Sequence, residues 1–219
     1  SSVAAGTYNT AVGRSAGAAV TTGVQNTLIG GLAGDAITTG NYNLAIGHQA
    51  LSATTTANYN VAVGRSALFT NILGSHSTAI GISALETQNY ATATAAYNVA
   101  VGHEAGLSVT TGIQNTFIGG LAGDANTTAN NNTAVGKSSL SATTTGGENT
   151  AVGTNALATN TTASNNTAVG TNALKVNTTG TSNVAVGALA LDANITGGNN
   201  IAVGLNALGA NTGGYSNVA

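Results

Sequence analysis

Few side chains in this sequence could do chemistry. Three histidines, His48, His76 and His103, are the available metal ligands or proton carriers of a chain with no cysteine. Gly30-Gly31-Leu32-Ala33-Gly34 resembles a glycine-rich nucleotide loop, and Gly136-Lys137-Ser138 matches the end of a P-loop. Arg14, His48, Arg65, His103 and Lys137 are candidates for contacting an anion or an anionic surface glycan. Tyr42 and Tyr59 are candidates for stacking on a sugar ring. Tyr8 and Tyr97 stand in the same sequence context, each directly before an Asn.

These candidates fall into a repeat. An Asn-x-Ala-Val-Gly phrase starts at Asn9 and returns every 17 residues through Asn217, except for one step of 21 from Ser77 to Asn98. A fixed period of this size means one small structural unit stacked on itself. Counting from the Asn, the consensus is N-T-A-V-G-x-x-A-L-x-x-N-T-T-G-x-x. Position 3 is Ala except at Leu28 and Phe117, position 4 is always Val or Ile, and position 5 is Gly in every complete repeat.

Within this frame most of the chemistry dissolves. The glycine loop is positions 5 to 9 of one repeat, with no helix-forming sequence behind it. The P-loop match lacks its first glycine, because that place is held by Asn131. His48 and His103 share position 6 but lie three repeats apart, ~14 Å at the spacing of stacked strands, and His76 is at position 17. The chain therefore reads as non-enzymatic, with no cofactor. Position 6 nonetheless gathers Arg14, His48, Arg65, His103 and Lys137. Acids favour position 10, at Asp35, Glu86, Asp124 and Asp192. The plain reading is two solvent-facing corners that keep the particle soluble; the functional reading is a weak cationic stripe for glycans. Asn160-Thr161-Thr162 and Asn177-Thr178-Thr179 have the pattern of sugar-attachment sites.

Composition agrees with a thin, repeated core. Only 5% of the 219 residues are charged and 4% aromatic, with 31 Gly and no Pro, Cys, Met or Trp. A compact globule needs larger side chains to fill its centre. Four Lys and Arg against six Asp and Glu give a net charge of −2, without the basic cluster that nucleic acid requires. No apolar run approaches the ~20 residues of a membrane span.

Positions 1 to 4 predict a short strand. The glycines at position 5, among them Gly13, Gly30, Gly47, Gly64 and Gly81, end it in a turn that needs positive φ or close backbone approach. Thr-Thr at positions 13 and 14 predicts a second strand. The expectation is an all-β fold, a parallel β-solenoid (β-roll) of 17-residue coils. About twelve coils, ~58 Å long, form a single repeat domain over residues 1–219. Val63, Ile80 and Val101 should line up in one row. The 21-residue coil at 77–97 should bulge near Thr87 to Ala95. Hairpins are disfavoured because no Asn-Gly or Asp-Gly occurs. Leu28 and Phe117 at position 3 coincide with Gly34 and Gly123 at position 9, where Leu is usual. Positions 3 and 9 should therefore share one apolar layer.

Positions 3 and 4 are both apolar yet point to opposite faces of a strand. One face fills the coil, and the other needs a partner. Another copy of the chain, in a closed trimer, is the economical choice. The phrase Asn166-Thr167-Ala168-Val169-Gly170 resembles head repeats of YadA-like trimeric autotransporter adhesins. The longer consensus, as in Asn149 to Asn165, resembles repeats in phage tail-fibre shafts and related bacterial fibres. That resemblance covers essentially the whole chain. It implies a trimeric extracellular shaft, on a virion or a bacterial surface, that presents a receptor-binding tip. This chain would be a segment of the longer fibre. The adhesin coils are shorter. A surface adhesin that binds glycan along the shaft and a filament that stacks end to end are the alternatives.

Overall fold

The computed structural model describes residues 8–219, all strand, turn and bend, with no helix. Twelve strands of three residues, from Thr10–Val12 to Ile201–Val203, form one parallel sheet in chain order. Coil 1 is taken to begin at Asn9 and coil 12 at Asn200. Every strand pairs with the equivalent residues one coil on. Val63 faces Ile80 and Ile80 faces Val101, so the row holds even across the longer coil. The chain is a parallel β-solenoid of about 17 residues per turn.

Burial alternates along each strand. The position 3 side chains Leu28, Ala45, Ala62 and Phe117 are fully buried, while positions 2 and 4 face outward. The alanines at position 8, the leucines at position 9 and the residues at position 12 complete the interior. The core is narrow because most of these side chains are Ala. Leu28 fills space left by two glycines. A Cβ on Gly17 would lie 2.8 Å from its Cδ1, and one on Gly34 2.7 Å from its Cδ2. Positions 3 and 9 thus touch both within a coil and between coils, and a larger residue at one requires a smaller one at the other.

The position 5 glycines are required twice over. Gly64 has φ 137°, a region closed to other residues, and a Cβ there would collide with the carbonyl oxygen of Gly81 one coil on. The corners hold a feature that the sequence did not announce. Positions 7, 9 and 17 adopt left-handed conformation without glycine, as at Gln49 (φ 60°), Leu51 (φ 53°) and Tyr59 (φ 58°). Such a conformation costs roughly 1–2 kcal/mol per residue. It persists because hydrogen bonds to the coils on either side fix the path. Gln49 N–H donates to Gly31 O at 3.0 Å, and Leu51 N–H to Ala67 O at 3.1 Å.

An asparagine ladder runs through the interior. Each position 1 Asn accepts at Oδ1 from the backbone N–H of the equivalent residue in the next coil, as Asn149 Oδ1 does from Asn166 N–H at 3.0 Å. Its Nδ2 donates to the position 15 carbonyl of its own coil, as Asn149 does to Ala163 at 2.9 Å. Buried amides are thereby satisfied level after level. A second ladder occupies position 12 toward the C-terminal end, where Asn194 Nδ2 donates to Asn177 Oδ1 at 2.9 Å.

Two expectations are corrected. Thr-Thr at positions 13 and 14 does not form a second strand. One carbonyl takes two backbone donors there, Thr21 N–H at 3.0 Å and Gly23 N–H at 3.1 Å, both to Thr38 O. That geometry bends the chain instead of extending it. The position 13 hydroxyls then close the gap, as Thr38 Oγ1 donates to Thr55 O at 3.2 Å. The insertion in the long coil is only partly a surface loop. Ala91, Thr92 and Ala93 are exposed, but Tyr90 turns inward to 6% exposure and donates to Gly112 O at 2.8 Å. Thr94–Ala95 pairs in parallel with Gly74–Ser75 as a separate two-stranded sheet.

Candidate interaction surface

Three outward features could meet another molecule. The first is the sheet face made by positions 2 and 4. Position 4 is Val or Ile at all twelve levels and position 2 is Thr, Val, Leu or Ile, so no charge interrupts the face. Between the ends these valines and isoleucines stay about one third exposed, for example Ile80 at 39% and Val169 at 37%.

The second is the position 6 column beside one edge of that face. Arg14, His48, Arg65, His103 and Lys137 are all exposed there. Only His48 and Arg65 stand on neighbouring coils. His103 Nε2 lies 3.6 Å from Glu104 Oε1. The position 10 acids are not the bare corner expected of them. Asp35 is half-buried and accepts from Ser52 Oγ at 2.6 Å. Asp124 is held above the usual carboxylate range, chiefly by burial.

The third is the position 17 column beside the other edge. Tyr42 and Tyr59 stack with ring centroids 4.9 Å apart and planes 3° from parallel. The sequence connects Tyr8 and Tyr97 with these two by position but gives His76 no place beside them. The structure extends the stack through His76, 5.0 Å from Tyr59, to Tyr97, 5.1 Å from His76. The signal was the shared position in consecutive coils. Stacking has a consequence for sugar binding. Each inner ring has both faces covered by its neighbours, which leaves hydroxyls and ring edges outward. Within the stack, a sugar that needs a free aromatic face finds one only at the two ends, and Tyr8 stands apart from it, 90% exposed.

The remaining candidates do not converge. Gly30 to Gly34 and Gly136 to Ser138 form solenoid corners, stacked coil on coil. Among the described residues no group of three or more His, Cys, Asp or Glu could hold a metal ion, and no helix is long and apolar enough to cross a membrane. A groove lined by Thr128, Asn131, Thr145, Glu148, Ser164 and Asn165 opens beside Gly147; the Ser164 hydroxyl accepts from Gly147 N–H at 3.1 Å, and among the described residues no hydrogen bond ties it to Glu148. Asn160 and Asn177 are fully buried and their amides are hydrogen-bonded, at 3.0 Å to Ala163 O and 2.9 Å to Gly180 O. Those two sites cannot carry sugars on the folded chain, contrary to the sequence pattern.

The fold class that these features define is a parallel β-solenoid with one uncharged outward sheet face. In comparisons with known proteins, no family profile, no curated protein and no solved structure matched the chain.

Proposed function

We propose that this chain is a shaft segment of a non-enzymatic extracellular fibre, assembled as a closed homotrimer. The observation that carries the reading is the outward face of positions 2 and 4, apolar or Thr at all twelve levels. Sheet faces and edges left to water are normally broken by charge. An unbroken apolar strip marks an interaction surface. Parallel stacking of identical coils suits a copy of the same chain, whose strip has the same length and pitch. The resemblance to tail-fibre shafts and YadA-like heads adds the number three and the setting, a virion appendage or a bacterial surface.

The mechanism is mechanical. Continuous inter-coil hydrogen bonds and dry Ala layers give a stiff rod that holds a receptor-binding tip away from its base. Few exposed loops are available to proteases.

Native mass measurement tests the assembly. The expected mass is three times 21.0 kDa, with rods in electron micrographs. Val63→Glu should reduce the particle to single chains while its β circular dichroism persists. A natural chain that remains a soluble monomer at micromolar concentration overturns the proposal.

A further inference from the structure

The two columns that flank the sheet face are matched at every tyrosine. Four tyrosines occupy position 17, and each is followed six residues later by a basic side chain at position 6. The pairs are Tyr8 with Arg14, Tyr42 with His48, Tyr59 with Arg65, and Tyr97 with His103. The two strands that begin after Gln25 and Gln114 carry Gly31 and Gly120 instead, while two levels are unmatched, His76 with Ile82 and Asn131 with Lys137. From coil 9 onward position 17 has no ring and position 6 has no cation. Coils 1 and 6 belong to a duplicated stretch, so three of the four matches are independent.

Nothing within one chain explains the match. Members of a pair stand at opposite ends of the same strand, with positions 1 to 5 extended between them, roughly 13 Å of backbone. Among the described residues, no hydrogen bond or ring contact joins Tyr59 to Arg65. The Tyr59 ring is stacked between the rings of Tyr42 and His76. Stacking turns the phenol hydroxyls outward, and those of Tyr42, Tyr59 and Tyr97 have no partner among the described residues. Each can accept a hydrogen bond from a guanidinium or imidazole N–H.

We infer that the tyrosine column of one copy docks against the position 6 column of the next, each ring opposite the basic side chain of its own level. The inference rests on the proposed self-assembly through the intervening apolar face, and adds its direction and register. In a ring of copies related by rotation, one edge of each face meets the opposite edge of its neighbour. Equal levels meet only when the rotation carries no shift along the axis. A helical offset would pair Tyr59 with a residue of another coil. The ring is therefore closed and the chains are parallel and unstaggered. Arg65 then donates to the neighbour's Tyr59 hydroxyl, and His48 to the neighbour's Tyr42.

A thiol cross-link tests this, because the chain has no cysteine of its own. The double variant Tyr59→Cys with Arg65→Cys is treated with a short bis-maleimide, too short to bridge the two sites within one chain. Asn165→Cys with Thr171→Cys probes the same geometry where no tyrosine or arginine is lost. Tyr59→Cys with His103→Cys, two levels apart, is the register control. Expected are covalent rings from both equal-level pairs and little from the control. Covalent trimers support the register and the trimer together, whereas covalent dimers alone support the register and refute the number three. A native trimer that neither equal-level pair cross-links, or that the control links as well, overturns the inference and leaves the trimer standing. A monomeric native mass overturns both.

Discussion

Gln88 stands in for the amide that Ser77 lacks. At coil 5 the asparagine ladder is broken by Ser77, whose hydroxyl is too short to reach the next level. Gln88 Nε2 donates to Ser77 Oγ at 3.1 Å, and its Oε1 accepts from Asn98 Nδ2 at 2.9 Å. The oxygen that an asparagine at 77 would offer to Asn98 arrives instead from position 12. Gln88 is the only glutamine in that column, and it sits at the only complete coil without an initial Asn.

This pairing predicts compensation. Gln88→Ala leaves the Ser77 hydroxyl without its side-chain partner in a fully buried place and removes a donor from Asn71 Oδ1, and should cost about 2 kcal/mol. Ser77→Asn alone crowds the same space and should cost a similar amount. Ser77→Asn with Gln88→Asn rebuilds an ordinary level, and thermal melting should return close to the natural value. A double variant less stable than both single ones refutes the exchange.

A volume exchange at coil 7 gives the second prediction. Phe117 is fully buried, and Gly106 and Gly123 leave it room; a Cβ on Gly106 would be 2.8 Å from its Cδ2. Phe117→Ala should lose about 3–5 kcal/mol. Adding Gly123→Leu should recover part of that. Gly123 has φ 59°, a conformation that Leu157 (φ 51°) holds at the same position two coils on. Gly123→Leu alone should be severely destabilising, because its side chain enters the ring of Phe117. Denaturant melts of the three variants check the order.

Alkaline unfolding should report on Tyr90. Burial pushes its hydroxyl up to about 12 from 10.0, while the hydrogen bond from Asn98 pulls the other way. The unfolded chain releases this proton near pH ~10 while the folded chain keeps it until near pH ~12. The contribution is therefore whole below pH ~10 and is lost as pH rises across that window. Absorbance titration should show a late phenolate, and Tyr90→Phe should remove that late step. A titration in which every tyrosine ionises together near pH 10 would contradict the buried placement.

Gly64→Ala should split the stack. Its Cβ would strike the Gly81 carbonyl oxygen, and its φ of 137° is closed to alanine. A loss above roughly 4 kcal/mol, or failure to fold, is expected. The exchange Leu189→Gly, at a corner with φ 59°, should be neutral or stabilising. Circular dichroism melts distinguish the two kinds of glycine position.

Much of the fold was legible because stacking repeats each demand. Val and Ile at position 4 announced a row, and Leu28 with Gly34 announced a shared layer. The corners were harder to read. Leu51 and Tyr59 take left-handed conformations that their residue types disfavour, and only the coils above and below enforce them. Thr38 and Thr39 have the composition of a strand, yet their backbone bends where two N–H groups converge on one carbonyl. The aromatic stack was half legible. Tyr42 and Tyr59 drew notice as residue types, whereas His76 was noted as a lone imidazole. The acids at position 10 carried no sequence sign that Asp35 would be tied to Ser52.

The coil-to-coil pairing also bears on how such a rod changes over evolutionary time. Since each strand meets its equivalent one repeat away, deleting or copying a whole repeat leaves two surfaces that already fit. Unequal recombination between neighbouring repeats would lengthen or shorten the particle in increments of ~4.8 Å without redesigning any joint. Residues 9–42 and their counterpart 98–131 carry the trace of such an event, and reach becomes a quantity that the gene can count.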